Sequence, residues 1–253
     1  MTNLAVNDLS LFFAFGLVVL AMFVSQKEKL GLSKDIIFSV GRAIIQLIIV
    51  GYVLKYVFQI NNWLLTVLMS LFIIGNAAWN AHKRNPNPHK QFSHSLLAIA
   101  LSTYTTLGVL VLTGAIKFVP SQIIPISGMI ASNSMVAIGL CYRSLDTQFH
   151  DQRQQVLEKL ALGADLKTAS LPILRRSIKT AMQPTIDSAK TVGLVSLPGM
   201  MSGLIFAGVD PVHAIKYQIM VTFMLLSATS LGSMIAGYRS YRNYYNQRQQ
   251  LRP

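Results

Sequence analysis

This sequence reads as an all-α integral membrane protein with about seven transmembrane helices. Three observations lead there. Of its 253 residues, 52% are hydrophobic and only 12% are charged, where soluble domains carry about a quarter. Apolar runs close to the ~20 residues that a helix needs to cross a bilayer recur along the chain. Lys and Arg gather in alternate loops between those runs, which is how an orientation signal is written. That last pattern also disposes of nucleic acid as the reason for the net charge of +13. The length suits one transmembrane domain over 1–253, without a further soluble catalytic domain of ordinary size. Cys141 is the single cysteine, so no intrachain disulfide framework exists.

The predicted spans are 9–25, 36–56, 63–81, 92–113, 123–142, 184–207 and 217–238. Each is continuously apolar, without the alternation of a barrel strand, so the spans are helices. Residues 1–8 contain no Lys or Arg. A cleaved leader would open with a basic stretch, so the run from Leu9 is expected to be a permanent span. Seventeen of the 22 basic residues fall in the loops after spans one, three, five and seven. Lys55, Lys117 and Lys216 alone occupy the alternate loops, and Arg42 and Lys190 fall inside spans. Positive charge marks the cytoplasm, which predicts N-out, C-in and an odd number of crossings. Tyr56, Trp63, Tyr142, Tyr217 and Tyr238 stand at span ends as interfacial anchors. The basic, tyrosine-rich tail 238–253 is expected to be solvated or to touch headgroups.

One loop is long, 143–183, on the predicted cytoplasmic side. Leu157, Leu160, Ala161 and Ala164 fall at i, i+3, i+4 and i+7, one stripe of an amphipathic helix. Gly163 is a natural helix stop, and Asp165 a natural N-cap for a second helix expected to end before Pro184. Periodicity alone fits both a helix lying on headgroups and a docking element for a soluble partner.

Sequence resemblance bears on that choice. Glu158-Lys-Leu-Ala-Leu-Gly-Ala resembles the EAA-type loop of ABC importer permeases, whose acidic-Ala-x-x-x-Gly element forms a coupling helix in a groove of the ATPase. Lys159 stands where that pattern has alanine. Two longer stretches, Ile124-Pro-Ile-Ser-Gly-Met-Ile-Ala-Ser-Asn-Ser and Asp187-Ser-Ala-Lys-Thr-Val-Gly-Leu-Val-Ser-Leu-Pro-Gly-Met-Met-Ser-Gly, resemble the FetB-type permeases. Lys27-Glu-Lys-Leu and Val40-Gly-Arg-Ala-Ile-Ile-Gln-Leu do so too. That family includes bacterial iron-export permeases and plant aluminium-tolerance proteins, and the likeness covers essentially the whole chain. It implies a permease of the bacterial inner membrane that pairs with a cytoplasmic ATP-binding subunit of FetA type, two copies of each. It further implies iron export, resistance to oxidative stress, and coupling through Glu158, Ala161, Gly163 and Ala164. It calls for no cofactor. No Gly-x-x-x-x-Gly-Lys-Ser/Thr occurs in the chain, so the phosphate-binding loop would come from the partner.

Candidates for the translocation path come from charge and helix interruption. Asp187 and Lys190 share a face of span six at i, i+3. They fit either a neutralising pair or a cation entry site. Pro198 and Gly199 interrupt that span, and Gly199 with Gly203 forms a G-x-x-x-G contact signal. On span five, Gly128, Ser132, Met135 and Gly139 form a small stripe with Asn133 beside it, expected to let two copies approach. Met135, Met200, Met201, Asn133 and Asp187 are the donors that a metal cargo would want, although methionine also fills apolar gaps. No two histidines have helical ligand spacing, and the identity of any metal site is left open. Three alternatives remain: an ABC permease for another metal or a nucleotide sugar, an ion-gradient-driven transporter, and an intramembrane enzyme. The second needs titratable relays and the third a clustered constellation. Asp187 is the one intramembrane carboxylate available to either.

Overall fold

The computed structural model describes residues 8–252, with Asp8 described by its backbone alone. Most of the segment 1–8, used above to judge the N-terminal lead, lies outside the described residues. Among the described residues the regular elements are all helices, with two isolated β-bridges. The helices are α1 (Asp8–Ala14), α2 (Gly16–Lys27), α3 (Ser33–Ile60), α4 (Trp63–Lys83), α5 (Phe92–Leu112), α6 (Pro120–Asp151), α7 (Arg153–Ala161), α8 (Leu166–Thr191), α9 (Gly199–Phe206) and α10 (Pro211–Ser240). The chain, read from its length as one domain, groups into two compact units that divide after Ile60.

The first unit holds α1 to α3. Phe15 interrupts α1 and α2 only slightly, its N–H still bonding Leu11 and Phe12 carbonyls. The two together form one apolar stretch, Leu9–Lys27. A tight turn follows, with Lys29 and Gly31 at φ 52° and 72°. Ser25 ties it: its carbonyl accepts from Leu30 N–H at 2.9 Å and its hydroxyl from Leu32 N–H at 3.2 Å.

The second unit is built around α6, which packs against α4, α5, α8 and α10. At 32 residues, α6 is ~48 Å long at ~1.5 Å per residue, well beyond a ~30 Å hydrocarbon core. One apolar cluster joins Leu107, Ile123, Ile130, Val221 and Met224. A second, nearer α7, joins Ile99, Ile138, Tyr142, Leu145 and Leu174. Between α6 and α10 the seam is made of small residues. A Cβ on Gly232 would lie 3.4 Å from Ser134 Cβ, and one on Gly237 would lie 3.4 Å from Cys141 Sγ. The Cys141 thiol donates to the Ser233 carbonyl at 3.6 Å, and the Ser134 hydroxyl to the Ala228 carbonyl at 3.3 Å. In lipid, where apolar burial drives little, such close backbone approach and interhelical hydrogen bonding hold helices together.

Several sequence expectations change here. Among the described residues, six helical stretches are long and apolar enough to cross a membrane. The predicted span 184–207 is instead discontinuous: the end of α8, seven non-helical residues (192–198), then α9. Pro184 does not end the second loop helix. It and Pro172 both lie inside α8 and are exposed. The opposite face, Ala169, Ile173, Ser177 and Ala181, stays buried, and that continuous packing outweighs the hydrogen bonds the prolines remove. Gly139 does not face a second copy. It is buried within this chain, where a Cβ would lie 2.8 Å from Arg84 Cδ. The tail, expected to be solvated or to touch headgroups, folds back in part: Tyr241, Asn243, Tyr245 and Leu251 are buried while Arg242 and residues 247–250 are exposed.

Candidate functional site

The interruption after α8 leads into a cleft. Beyond Thr191, Gly193 takes φ +84°, a conformation that glycine adopts freely. The freed backbone groups are satisfied locally. The Thr191 carbonyl accepts from Val195 N–H at 2.9 Å, and Gly193 N–H donates to the Ser196 carbonyl at 2.9 Å. Pro198 then precedes the first turn of α9 as its N-cap residue. Irregular backbone at membrane depth persists where it is buried or lines a cavity, and here a cavity is present. It measures ≈ 380 Å³ and is walled by Met129 of α6, Thr185 and Ser188 of α8, Pro198, Gly199 and Met200 at the break, and Gln218 and Thr222 of α10.

The predicted path residues divide over this geometry. Pro198, Gly199 and Met200 line the cleft. Met201 is buried beside it in sequence, and Gly203 is exposed with open space around it. Asp187 and Lys190 sit outside the cleft's lining and bond each other at 3.1 Å. Gln183 Nε2 also donates to both Asp187 carboxylate oxygens, at 2.9 and 3.0 Å. Asn133 spends its amide on the Met129 carbonyl one turn back, at 2.8 Å. Met135 packs against the apolar cluster nearer α7. Among the described residues, no three His, Cys, Asp or Glu side chains converge as a metal cage would require. Sequence reading missed Gln218. It is 9% exposed, and its Oε1 has no hydrogen-bond partner. A lone Gln in an apolar helix gives no periodic signal, although an unpaired polar group at that depth is costly.

At the far end of α6, α7 and the turn to α8 form a tip. The helix–turn–helix is as predicted. Gly163, at φ +90°, donates its N–H to Leu160, and Ala164 donates to Lys159, both at 3.0 Å. This is the double bond of a Schellman stop. Asp165 caps α8 by accepting from Thr168 N–H at 3.3 Å. Hydrogen bonding by Thr168, its hydroxyl foremost, holds the Asp165 carboxyl below the usual value. The apolar stripe splits. Val156 is buried, with Leu160 and Ala164 packed on the core. Leu157, Glu158, Ala161 and Gly163 face outward with Leu162, which is 88% exposed.

The tail buttresses this tip. Residues 241–244 form a 3₁₀ turn, and Tyr245 bridges Leu251. Tyr244 stacks on Phe149 of α6 with centroids 4.2 Å apart. The buried Tyr245 hydroxyl meets Ser170 Oγ of α8 at 2.7 Å. Arg153 of α7 bonds the Arg252 carbonyl, and Arg252 reaches His89 Nε2 at 2.9 Å.

Comparison with known proteins places the chain. Residues 8–245 match the uncharacterised protein family UPF0014. The chain belongs to this family. It is 61% identical over 246 residues to "Probable iron export permease protein FetB" of Escherichia coli (strain K12), covering 97% of this chain and 95% of that one. It is 35% identical to UPF0014 membrane protein YjkA of Bacillus subtilis (strain 168), over 96% and 98% of the two chains. It is 34% identical to Protein ALUMINUM SENSITIVE 3 of Arabidopsis thaliana, over 94% and 87%. No solved structure matches. As a UPF0014 member with several long apolar helices, it is a multi-pass membrane protein.

Proposed function

We propose that this chain is the membrane-spanning permease subunit of an ABC exporter of the bacterial inner membrane that moves iron out of the cytoplasm. ATP is hydrolysed by a separate FetA-type subunit, with two copies of each chain in the complex. The observation that carries this reading is the 61% identity, over nearly the full length of both chains, to the Escherichia coli relative named for iron export. Three features of the geometry support this reading. Leu157, Glu158, Ala161 and Leu162 present an outward surface for the ATPase. The cleft at the break offers thioether and amide donors from Met129, Met200 and Gln218. Asp187, paired with Lys190 and exposed, serves as a cation entry point beside it. Lower cytoplasmic iron would in turn reduce damage by peroxide.

A second cargo reading, a different metal, is favoured by the name of the Arabidopsis relative, which refers to aluminium. Both readings are tested with proteoliposomes holding this chain and its ATPase, loaded in turn with Fe²⁺, Zn²⁺ and a nucleotide sugar. ATP-dependent movement of Fe²⁺ well above the others supports iron export. Equal or greater movement of Zn²⁺ supports the second reading, and movement of the sugar alone overturns both.

A further inference from the structure

A second cavity lies away from the cleft, at the end of the helices where the tail folds back. It measures ≈ 530 Å³ and is lined by Gln91, His94, Lys167, Tyr238, Arg239, Tyr241, Arg242 and Asn243. Three of these side chains are cationic and none is a carboxylate. Among the described residues, none of the three cations takes part in a salt bridge. Lys167 Nζ stands over the Tyr238 ring at 6.0 Å from its centroid, and Arg242 Nε donates to the Tyr241 hydroxyl at 3.4 Å. Two further groups are polar and unpartnered. Asn243 is 9% exposed, yet its Nδ2 donor has no acceptor, and the half-buried His94 has an unpartnered Nδ1.

The depth of this cavity selects the occupant. Gln91 and His94 stand at the start of α5 and Tyr238 near the end of α10, where the apolar stretches give way to polar chain. That is headgroup level whichever way the protein is inserted. Clustered arginine and lysine between transmembrane helices at that level is a phosphate-binding arrangement.

We propose that this cavity binds the phosphate of an anionic phospholipid headgroup, held by Lys167, Arg239 and Arg242. The bound lipid joins α5, α8 and α10 to the tail that braces the tip. This inference is independent of the cargo.

The test uses the full-length protein, purified in detergent and titrated with cardiolipin, phosphatidylglycerol, phosphatidylcholine or inorganic phosphate. Melting temperature and bound mass by native mass spectrometry are the readouts. A saturable rise with the two anionic lipids is expected, with none for phosphatidylcholine and none for inorganic phosphate at matching concentration. A basic residue near an anionic headgroup is worth roughly fivefold in affinity. Arg239→Gln with Arg242→Gln should therefore weaken binding by about 25-fold. Arg175→Gln with Arg176→Gln, an exposed pair on α8 outside the cavity, should leave it within about twofold. If the first pair does not fold, Lys167→Gln alone should lose about fivefold. Equal losses in both pairs, unsaturable binding, or inorganic phosphate protecting as well as the lipids would each overturn the proposal.

Discussion

Replacing Gly163 separates the shape of the α7–α8 turn from the side chains around it. At φ +90° the residue lies where an L-amino acid is disfavoured by roughly 1–2 kcal/mol, asparagine less so. A Cβ there would meet no atom within 4 Å, so steric overlap adds nothing and the backbone bears the whole penalty. The two hydrogen bonds at risk are Gly163 N–H to Leu160 and Ala164 N–H to Lys159. If the turn opens locally, Gly163→Ala should speed exchange of the Ala164 amide by about five- to thirtyfold, since each ~1.4 kcal/mol is a factor of ten. Gly163→Val should do more, and Gly163→Asn should stay near the parent. Hydrogen exchange in detergent reads this without any partner. ATPase stimulation by the reconstituted complex should then fall in the same order, while global melting moves little. An asparagine variant as open as the valine variant, or unchanged protection in all three, would refute the claim that the left-handed turn governs this surface.

Gln218→Leu removes a buried acceptor with no partner, so it should raise stability by about 1–2 kcal/mol while lowering transport; a variant with normal transport would take Gln218 out of the path. Tyr245→Phe strands the buried Ser170 hydroxyl and should cost about 1–3 kcal/mol in detergent unfolding, most of it recovered by adding Ser170→Ala; a double variant no better than the single would show that the pair does not interact. Asp165 has a carboxyl held below its usual 3.8 by Thr168, so its contribution to the α8 cap is complete above that value and lost as pH falls through the lowered one. Exchange of the Thr168 amide should rise over that acid window in the parent and show no such step in Asp165→Asn. Finally, a reporter fused at the C-terminus should read cytoplasmic, and one inserted in the turn 207–210 periplasmic; the two readings exchanged would reduce the crossings to the six long helices, and both on one side would mean that α10 does not cross.

Much of this architecture was legible because membrane helices write long signals. The apolar runs carry six of the seven predicted crossings, and Gly163 with Asp165 marked the turn through the conformations and caps those residue types prefer. The rest was hidden for identifiable reasons. The break after Thr191 begins six residues before Pro198, because Gly193 and locally closed backbone bonds end α8 earlier than the proline that drew attention. Pro172 and Pro184 misled in the other direction, since a packed opposite face holds the helix together. The role of Gly139 depended on which neighbour lay across from it, and the neighbour is Arg84, 55 positions earlier in the sequence. The fold-back of the tail rests on Phe149, Ser170 and His89, contacts that no local pattern announces. Gln218 was invisible for the same reason: its significance is the absence of a partner.

The length of α6 has a mechanical consequence. From Met129 beside the cleft to Asp151, where it ends, the helix contains no proline and spans ~33 Å at ~1.5 Å per residue. An unbroken helix of that length would act as a stiff lever. A tilt of only about 5° at one end displaces the other by ~3 Å over that length, comparable to the width of a water molecule. A push on the α7 tip that tilted α6 would thus reach the wall of the cleft as a change in bore, passing only the single break at Gln152 between α6 and α7.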